Sequence, residues 1–191
     1  MPRTTKDQTR RKLRDAVVSE AVEMGFPQAS IAGVVRRARV SAGTIYVHFE
    51  NKDDMLRKVY MEVKSDFHAR LLAAHVAPDS AAMIRQMWFA MFDFVTEKPE
   101  QFLFLDYGSA AKILMPEQQT IVDGYAADIA ELMRRGVNDG TLAPVETGIL
   151  SLLLTALAMQ LARQSVISGR PVPQDILETT FERVWRSIKS N

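Results

Sequence analysis

Thr44, Tyr46 and His48 alternate along the segment SAGTIYVHF, residues 41–49, in which only Ile45 and Phe49 suit a core. A helix that only packs repeats apolar residues every three or four positions; here most of the surface is hydrogen-bonding. Hydroxyl, phenol and imidazole donors suit phosphate oxygens, and the small Ala42 and Gly43 with Val47 let a backbone approach base edges in a DNA groove. Catalysis has no residues to stand on: there is no nucleophile–base pair and no glycine-rich phosphate loop. With no cysteine, and with His48, His68 and His75 lacking a carboxylate or histidine at ligand spacing, neither a metal nor a cofactor is expected. His68 and His75, a heptad apart, read as solvated.

The elements that hold this segment are short helices. Ser30 can cap a helix ending near Ala38, and Ser41 caps the next, because a side-chain oxygen there satisfies free N–H groups of the first turn. Only Arg39 and Val40 separate the two, which makes a helix-turn-helix whose second helix can enter a major groove. Val34, Val35, Ala38, Val40, Ile45 and Phe49 would pin the pair to a first helix, Thr5 to Met24, whose apolar face carries Leu13, Val17, Ala21 and Met24. Charge agrees. Residues 1–60 hold 12 Lys/Arg against 7 Asp/Glu and residues 61–191 hold 12 against 16, so a net charge of +1 conceals a basic head on an acidic body. Arg3, Lys6, Arg10, Arg11, Lys12 and Arg14 form a basic arm, expected either to lie along a DNA backbone or reach a minor groove, or to be a frayed terminus with only loose phosphate attraction.

Further helix signals recur along the chain, and no period-two alternation or Asn-Gly hairpin competes with them. Asn51 caps a fourth helix reaching about Ala74, and Asp79 or Ser80 opens a fifth to Lys98. Pro99 starts a sixth to Tyr107 closed by Gly108, and Pro116 a seventh closing near Gly136. An eighth runs from about Val145 to Ser168, closed by Gly169, and a ninth from Pro173 to about Lys189. The fold class is all-α, with nine helices. The N-terminus lacks the apolar block of a signal peptide, because Glu20 and Glu23 interrupt it, and the apolar run 149–158 is short for a bilayer. A cytoplasmic protein with no membrane partner is expected.

From Thr9 to Val63 the chain resembles the DNA-binding domain of TetR-type transcriptional repressors. Gly25-Phe26 precedes the second helix, and the run Val40-Ser41-Ala42-Gly43-Thr44-Ile45-Tyr46-Val47-His48-Phe49-Glu50-Asn51-Lys52 follows the family pattern over thirteen positions. The resemblance implies a nine-helix TetR-like fold divided into a helix-turn-helix domain, 1–51, and a ligand-binding and dimerisation domain, 52–191. It implies that Thr44, Tyr46, His48 and Lys52 contact the backbone of double-stranded operator DNA and that Ala42, Gly43 and Val47 face bases. The caps Ser30 and Ser41 and the turn residue Arg39 complete the DNA-binding set. Arg39 stands where the family usually has glycine, so either the turn is relaxed or a phosphate contact offsets a strain of about 1 kcal/mol.

The fifth helix carries Met83, Met87 and Met91 at intervals of four, with Trp88 and Phe92 on the adjacent stripe. Such a lining is ordinary core or, given a ligand-responsive family, an adaptable site for a small apolar, aromatic or amphipathic ligand. Candidate ligand residues are Tyr60, Phe67, Met87, Trp88, Met91, Phe94, Phe104, Tyr107, Tyr125 and Met159. Helices eight and nine have two apolar faces each, so Leu152, Ala156, Phe181, Val184, Trp185 and Ile188 are expected in a two-fold homodimer interface. The function these readings imply is a repressor released from DNA by its ligand. The alternatives are a regulator of the same fold that activates or takes no small molecule and, more remotely, a helical enzyme or lipid carrier.

Overall fold

The computed structural model describes residues 5–190. Among them are nine α-helices: α1 (Thr5–Met24), α2 (Ile31–Ala38), α3 (Ala42–His48), α4 (Lys52–Leu72), α5 (Ser80–Glu97), α6 (Pro99–Ala110), α7 (Pro116–Asn138), α8 (Thr147–Ser168) and α9 (Gln174–Ile188). A 3-10 turn, Ala73–Val76, follows α4, and a single antiparallel bridge joins Leu142 to Lys189. The chain divides into two compact units, one holding the residues up to Ser65 with Glu100–Gln118, the other Asp66–Pro99 with the chain from Gln119 on. This departs from the division expected after residue 51. The first unit keeps most of α4 and takes in α6, because their side chains complete its core.

That core starts from α1, where Leu13, Val17 and Ala21 are buried as their spacing predicts, while Met24 is exposed. Val34, Ala38, Ile45 and Phe49 close over them from α2 and α3. α6 binds in through Phe104, stacked on Phe26 at 5.1 Å and tilted against Tyr60 at 6.2 Å. Polar contacts reinforce it: Ser19 Oγ donates to Glu100 Oε2 at 2.5 Å and Arg14 to Gln101 Oε1 at 3.1 Å. Gly108, expected to end α6, lies inside it, because a Cβ there would meet the Tyr60 ring at 2.7 Å and Phe26 at 2.9 Å.

The second unit is built round α5, whose Met83, Ile84, Met87, Trp88, Met91, Phe92, Phe94 and Val95 are buried. Asp79 caps it, its side chain accepting from Ala82 N–H at 2.7 Å. From α9, Phe181 tilts against Trp88 at 5.9 Å, and Leu177, Val184 and Ile188 are buried beside it. α8 contributes a narrow stripe, Leu150, Leu154, Ala158 and Ala162, every fourth residue. Gly136 is interior to α7 rather than its stop, because its Cβ position is 2.7 Å from Leu142. Ser80, fully buried, donates to Asp139 Oδ2 at 2.5 Å, and Arg135 donates to the carbonyls of His75 and Ala77 at 2.9 and 3.3 Å.

Candidate nucleic-acid interface

α2 and α3 are fixed by their caps. Ser30 Oγ accepts from Gly33 N–H at 3.0 Å, and Ser41 Oγ accepts from Thr44 N–H at 3.2 Å. Each such cap stabilises a helix by about 1 kcal/mol, a large fraction for helices of eight and seven residues. Between them Arg39 adopts the left-handed region, φ 54°, ψ 48°, with its N–H on Val35 O. That settles the geometry left open by the sequence: the turn does need positive φ, and a side chain bears it at a cost of about 1–2 kcal/mol. Arg39 is exposed.

On α3, Ile45 points inward and is fully buried, while Tyr46 is 59% and Val47 78% exposed. A phenol and a branched apolar side chain bare on one short helix have no role inside the fold. Ala42 and Gly43 are exposed beside them. A Cβ on Gly43 would find only Ser41 Oγ, at 3.8 Å, so the protein itself has room for a larger residue there. Thr44 is half-buried, its hydroxyl 2.9 Å from that of Ser41, so part of its hydrogen-bonding capacity serves the cap. His48 is half-buried next to Phe49. Lys52, expected to face phosphate, donates to Pro27 O at 2.5 Å; an ammonium has three donors, so this bond ties α4 to the connector before α2 and leaves two. Asn51 caps α4 as expected, accepting from Asp54 N–H at 2.9 Å.

The residues that set the helix-turn-helix on α1 were not legible as such. Glu20 is 3% exposed inside the head. Its Oε1 accepts from Ser30 N–H and Oγ at 3.3 and 3.2 Å, and its Oε2 accepts from Arg37 Nε at 2.8 Å. Arg37 also forks onto Glu23, at 2.9 and 2.7 Å. Burial disfavours the Glu20 charge, but the Arg37 and Ser30 hydrogen bonds outweigh it, holding the carboxyl below its ordinary value. The hydrogen bonds that Arg37 donates to Glu23 and Glu20 raise it above its own ordinary value. Gly33 makes room for this: a Cβ there would fall 1.8 Å from Glu20 Oε1. The only available signal was an acid on a helix face of otherwise apolar residues.

In the arm, Arg10 is engaged by Glu62 and lies 4.7 Å over the Phe49 ring, and Arg14 is held on α6, so both serve the fold. Arg11 and Lys12 are exposed. Arg3 lies outside the described residues, and nothing is described of the Lys6 side chain.

The ligand candidates fall in both units. Tyr60 and Phe104 are buried and Tyr107 half-buried in the first; Met87, Trp88, Met91 and Phe94 are buried and Phe67, Tyr125 and Met159 half-buried in the second. Phe67 packs on Phe94 at 4.9 Å. Two expectations need correction. His68 is not solvated: it stacks on Tyr125 at 4.2 Å, with Nε2 3.1 Å from Asp128 Oδ2. And Phe181, Val184 and Ile188, assigned to a dimer interface, are buried within the chain, Phe181 against Trp88 and Phe89 of α5, and leave almost no area for a partner. Trp185 stacks on Phe181, half-buried. Leu152 is 63% exposed, and Ala156, Ile149, Leu153 and Leu157 are exposed with it. The same helix, 22 residues with a mean hydropathy of 1.4 over its most apolar window, is by length and composition alone long and apolar enough to cross a membrane, a test that the core helix of a soluble protein passes as well.

The sequence model of the bacterial regulatory proteins of the tetR family matches residues 13–59, and that described as Tetracyclin repressor-like, C-terminal domain, matches residues 82–189. An uncharacterized HTH-type transcriptional regulator of Haemophilus influenzae is 29% identical over 167 residues, 86% of this chain and 87% of its own. A TetR-family transcription regulator of Marinobacter aquaeolei VT8 superposes with a TM-score of 0.87 at 21% identity, over 97% of this chain and 98% of that one. A TetR-family regulator of Haemophilus influenzae gives 0.73 at 25% identity, over 98% and 100%. Two family matches covering the recognition head and more than half of the chain, on a nine-helix fold with an exposed α3 face, establish that the chain belongs to the TetR family of helix-turn-helix transcriptional regulators.

Proposed function

We propose that this regulator is a cytoplasmic repressor that binds operator DNA as a homodimer and leaves it when a small apolar or amphipathic ligand binds. The observation that carries the DNA part is the bare face of α3, where Tyr46 and Val47 are exposed and Gly43 is smaller than its own fold requires. Tyr46, Thr44, His48 and Lys52 serve phosphates, while Ala42, Gly43 and Val47 meet base edges, Val47 suiting a thymine methyl. Ser30, Ser41 and Arg39 act at the edge of this face.

The dimer part rests on α8. Its inward stripe leaves Ile149, Leu152, Leu153 and Leu157 in water, an apolar surface that a two-fold partner would cover. Ala156 lets helices approach there, and Trp185 joins at the margin. The ligand part rests on α5, where a Met-rich interior with Trp88 can repack around varied guests. Because α4 starts at the DNA-facing Lys52 and continues to Leu72, a ligand that favours one tilt of α4 changes the spacing of the two α3 helices in the dimer.

The test is fluorescence anisotropy of labelled promoter fragments against random DNA, over a series of salt concentrations, with and without an apolar compound library. Salt-dependent preference for one fragment, lost on adding a compound, supports the reading. Specific binding that no compound alters favours a regulator without a small-molecule ligand, a reading the complete burial of Trp88 also suits. No preference over random DNA removes the proposal.

A further inference from the structure

The end of α8, the loop 169–173 and the residues that follow it on α8's side enclose an open groove of about 550 Å³. Leu161, Ile167, Pro171, Val172 and Pro173 give it an apolar lining, with Gln160, Gln164 and Arg170 among its polar members. Ile167 is 66% exposed although it lines the groove, so the single chain leaves this space unfilled. The groove also continues the bare face of α8. Ile149, Leu153, Ala156, Gln160, Arg163 and Ile167 follow one another at spacings of four and three, the seam of a helix that lies along another helix, and all six are exposed. The two ends of this seam differ in charge. From Thr147 to Gln174 the only charged side chains are Arg163 and Arg170, both toward the C-terminal end. At the N-terminal end stands Glu146, exposed, its carboxylate accepting from Gly148 and Ile149 N–H at 2.9 and 3.1 Å. Two such helices laid parallel bring arginine to arginine, which disfavours association. Laid antiparallel, they bring the arginines of each copy toward Glu146 of the other and oppose their helix dipoles. The antiparallel two-fold also sets the N-terminal end of one seam over the groove at the C-terminal end of the other, so that a second copy covers seam and groove together.

We infer that this groove is the socket for a second copy of the chain: two α8 helices pair antiparallel, and Ile149 of each copy seats on Ile167 and the Pro171–Pro173 segment of the other. This rests on the homodimer reading and gives the dimer its direction, its register and its end contacts. The charges at the two ends select that direction, and the apolar groove fixes how far one helix slides along the other.

The experiment is cross-linking of full-length variants with a short bis-maleimide, beside analytical ultracentrifugation of the parent. The chain has no cysteine, so introduced thiols are the only ones that react. Ile149→Cys, Ile167→Cys and the double variant replace exposed side chains, and their folding is checked by circular dichroism. Within one chain the two positions are 18 residues apart on α8, about 27 Å, beyond the reach of the reagent. The double variant should run mostly as a covalent dimer on a denaturing gel, while each single variant stays at the background of the cysteine-free parent. Single variants that cross-link to themselves as well as the double one does show a parallel pair and overturn the inference. A dimeric parent with no cross-linking in the double variant overturns it too, assigning the groove to another occupant while the homodimer reading stands. A monomeric parent overturns both.

Discussion

Arg37 Nε donates to Glu20 Oε2 across 2.8 Å, joining the end of α2 to the C-terminal part of α1 at the point where Ser30 Oγ also reaches the same carboxylate. One buried acid thus orients both ends of α2, its cap and its last turn, and with them the start of α3. The exposed face of α3 faces outward in a defined direction because α2 is held this way on α1.

Glu20→Gln should lower stability by on the order of 2 kcal/mol, since a charge-assisted bond to Arg37 is replaced by a weaker one. pH should act on the parent in the same sense. Glu20 has a depressed carboxyl in the folded state, so its contribution is present above the unfolded value, near the ordinary 4.5, and fades as pH falls through the lower folded one. Chemical denaturation from neutral to acid pH should show a fall below about 4.5 that Glu20→Gln reduces. Equal falls in both would place the acid sensitivity elsewhere.

Arg39→Gly should raise stability by about 1 kcal/mol, because glycine adopts φ 54° without the Cβ penalty. Operator affinity measured alongside separates strain from contact. If affinity also drops several-fold, and the salt slope falls by about one unit per head, Arg39 meets a phosphate as well.

Tyr46→Phe should weaken binding to all DNA sequences alike, while Val47→Thr should change which operator is selected from a randomised pool. Both residues are exposed, so melting temperatures should stay within about 0.5 kcal/mol equivalent of the parent. An unaltered selection by Val47→Thr would move base readout to Ala42 and Gly43.

Leu152→Arg should give a folded monomer by light scattering with weakened operator binding, because Leu152 is bare in the single chain. Phe181→Arg should instead unfold the protein, since Phe181 packs on Trp88, Phe89 and Trp185. A dimer that persists in Leu152→Arg would place the two-fold contact off this face of α8.

Trp88→Ala should cost about 3–5 kcal/mol by opening a cavity beside Phe92 and Phe181. In a variant still folded, operator affinity without ligand should hold while release by apolar compounds changes. Identical release from variant and parent would remove Trp88 from the ligand site.

The helices and their starts were legible in the chain because they depend on neighbours. Ser30, Ser41, Asn51 and Asp79 cap where a side chain can reach a nearby N–H, and Pro99 and Pro116 begin helices where no N–H is needed. The alternation of Thr44, Tyr46 and His48 likewise marked the outward face of α3, since α3 is too short to bury more than Ile45. Other features needed the folded chain. Gly108 and Gly136 look like stops by local rules, but they are interior because Tyr60 and Leu142 press on them from elsewhere in the sequence. Helices apolar on two faces do not declare which one turns inward: α9 buries Phe181, Val184 and Ile188, while α8 keeps Leu152 in water. The Glu20–Arg37 pair and the His68–Asp128 approach follow the same logic. A charge's partner is chosen by packing across helices, and spacing along one helix carries no record of it.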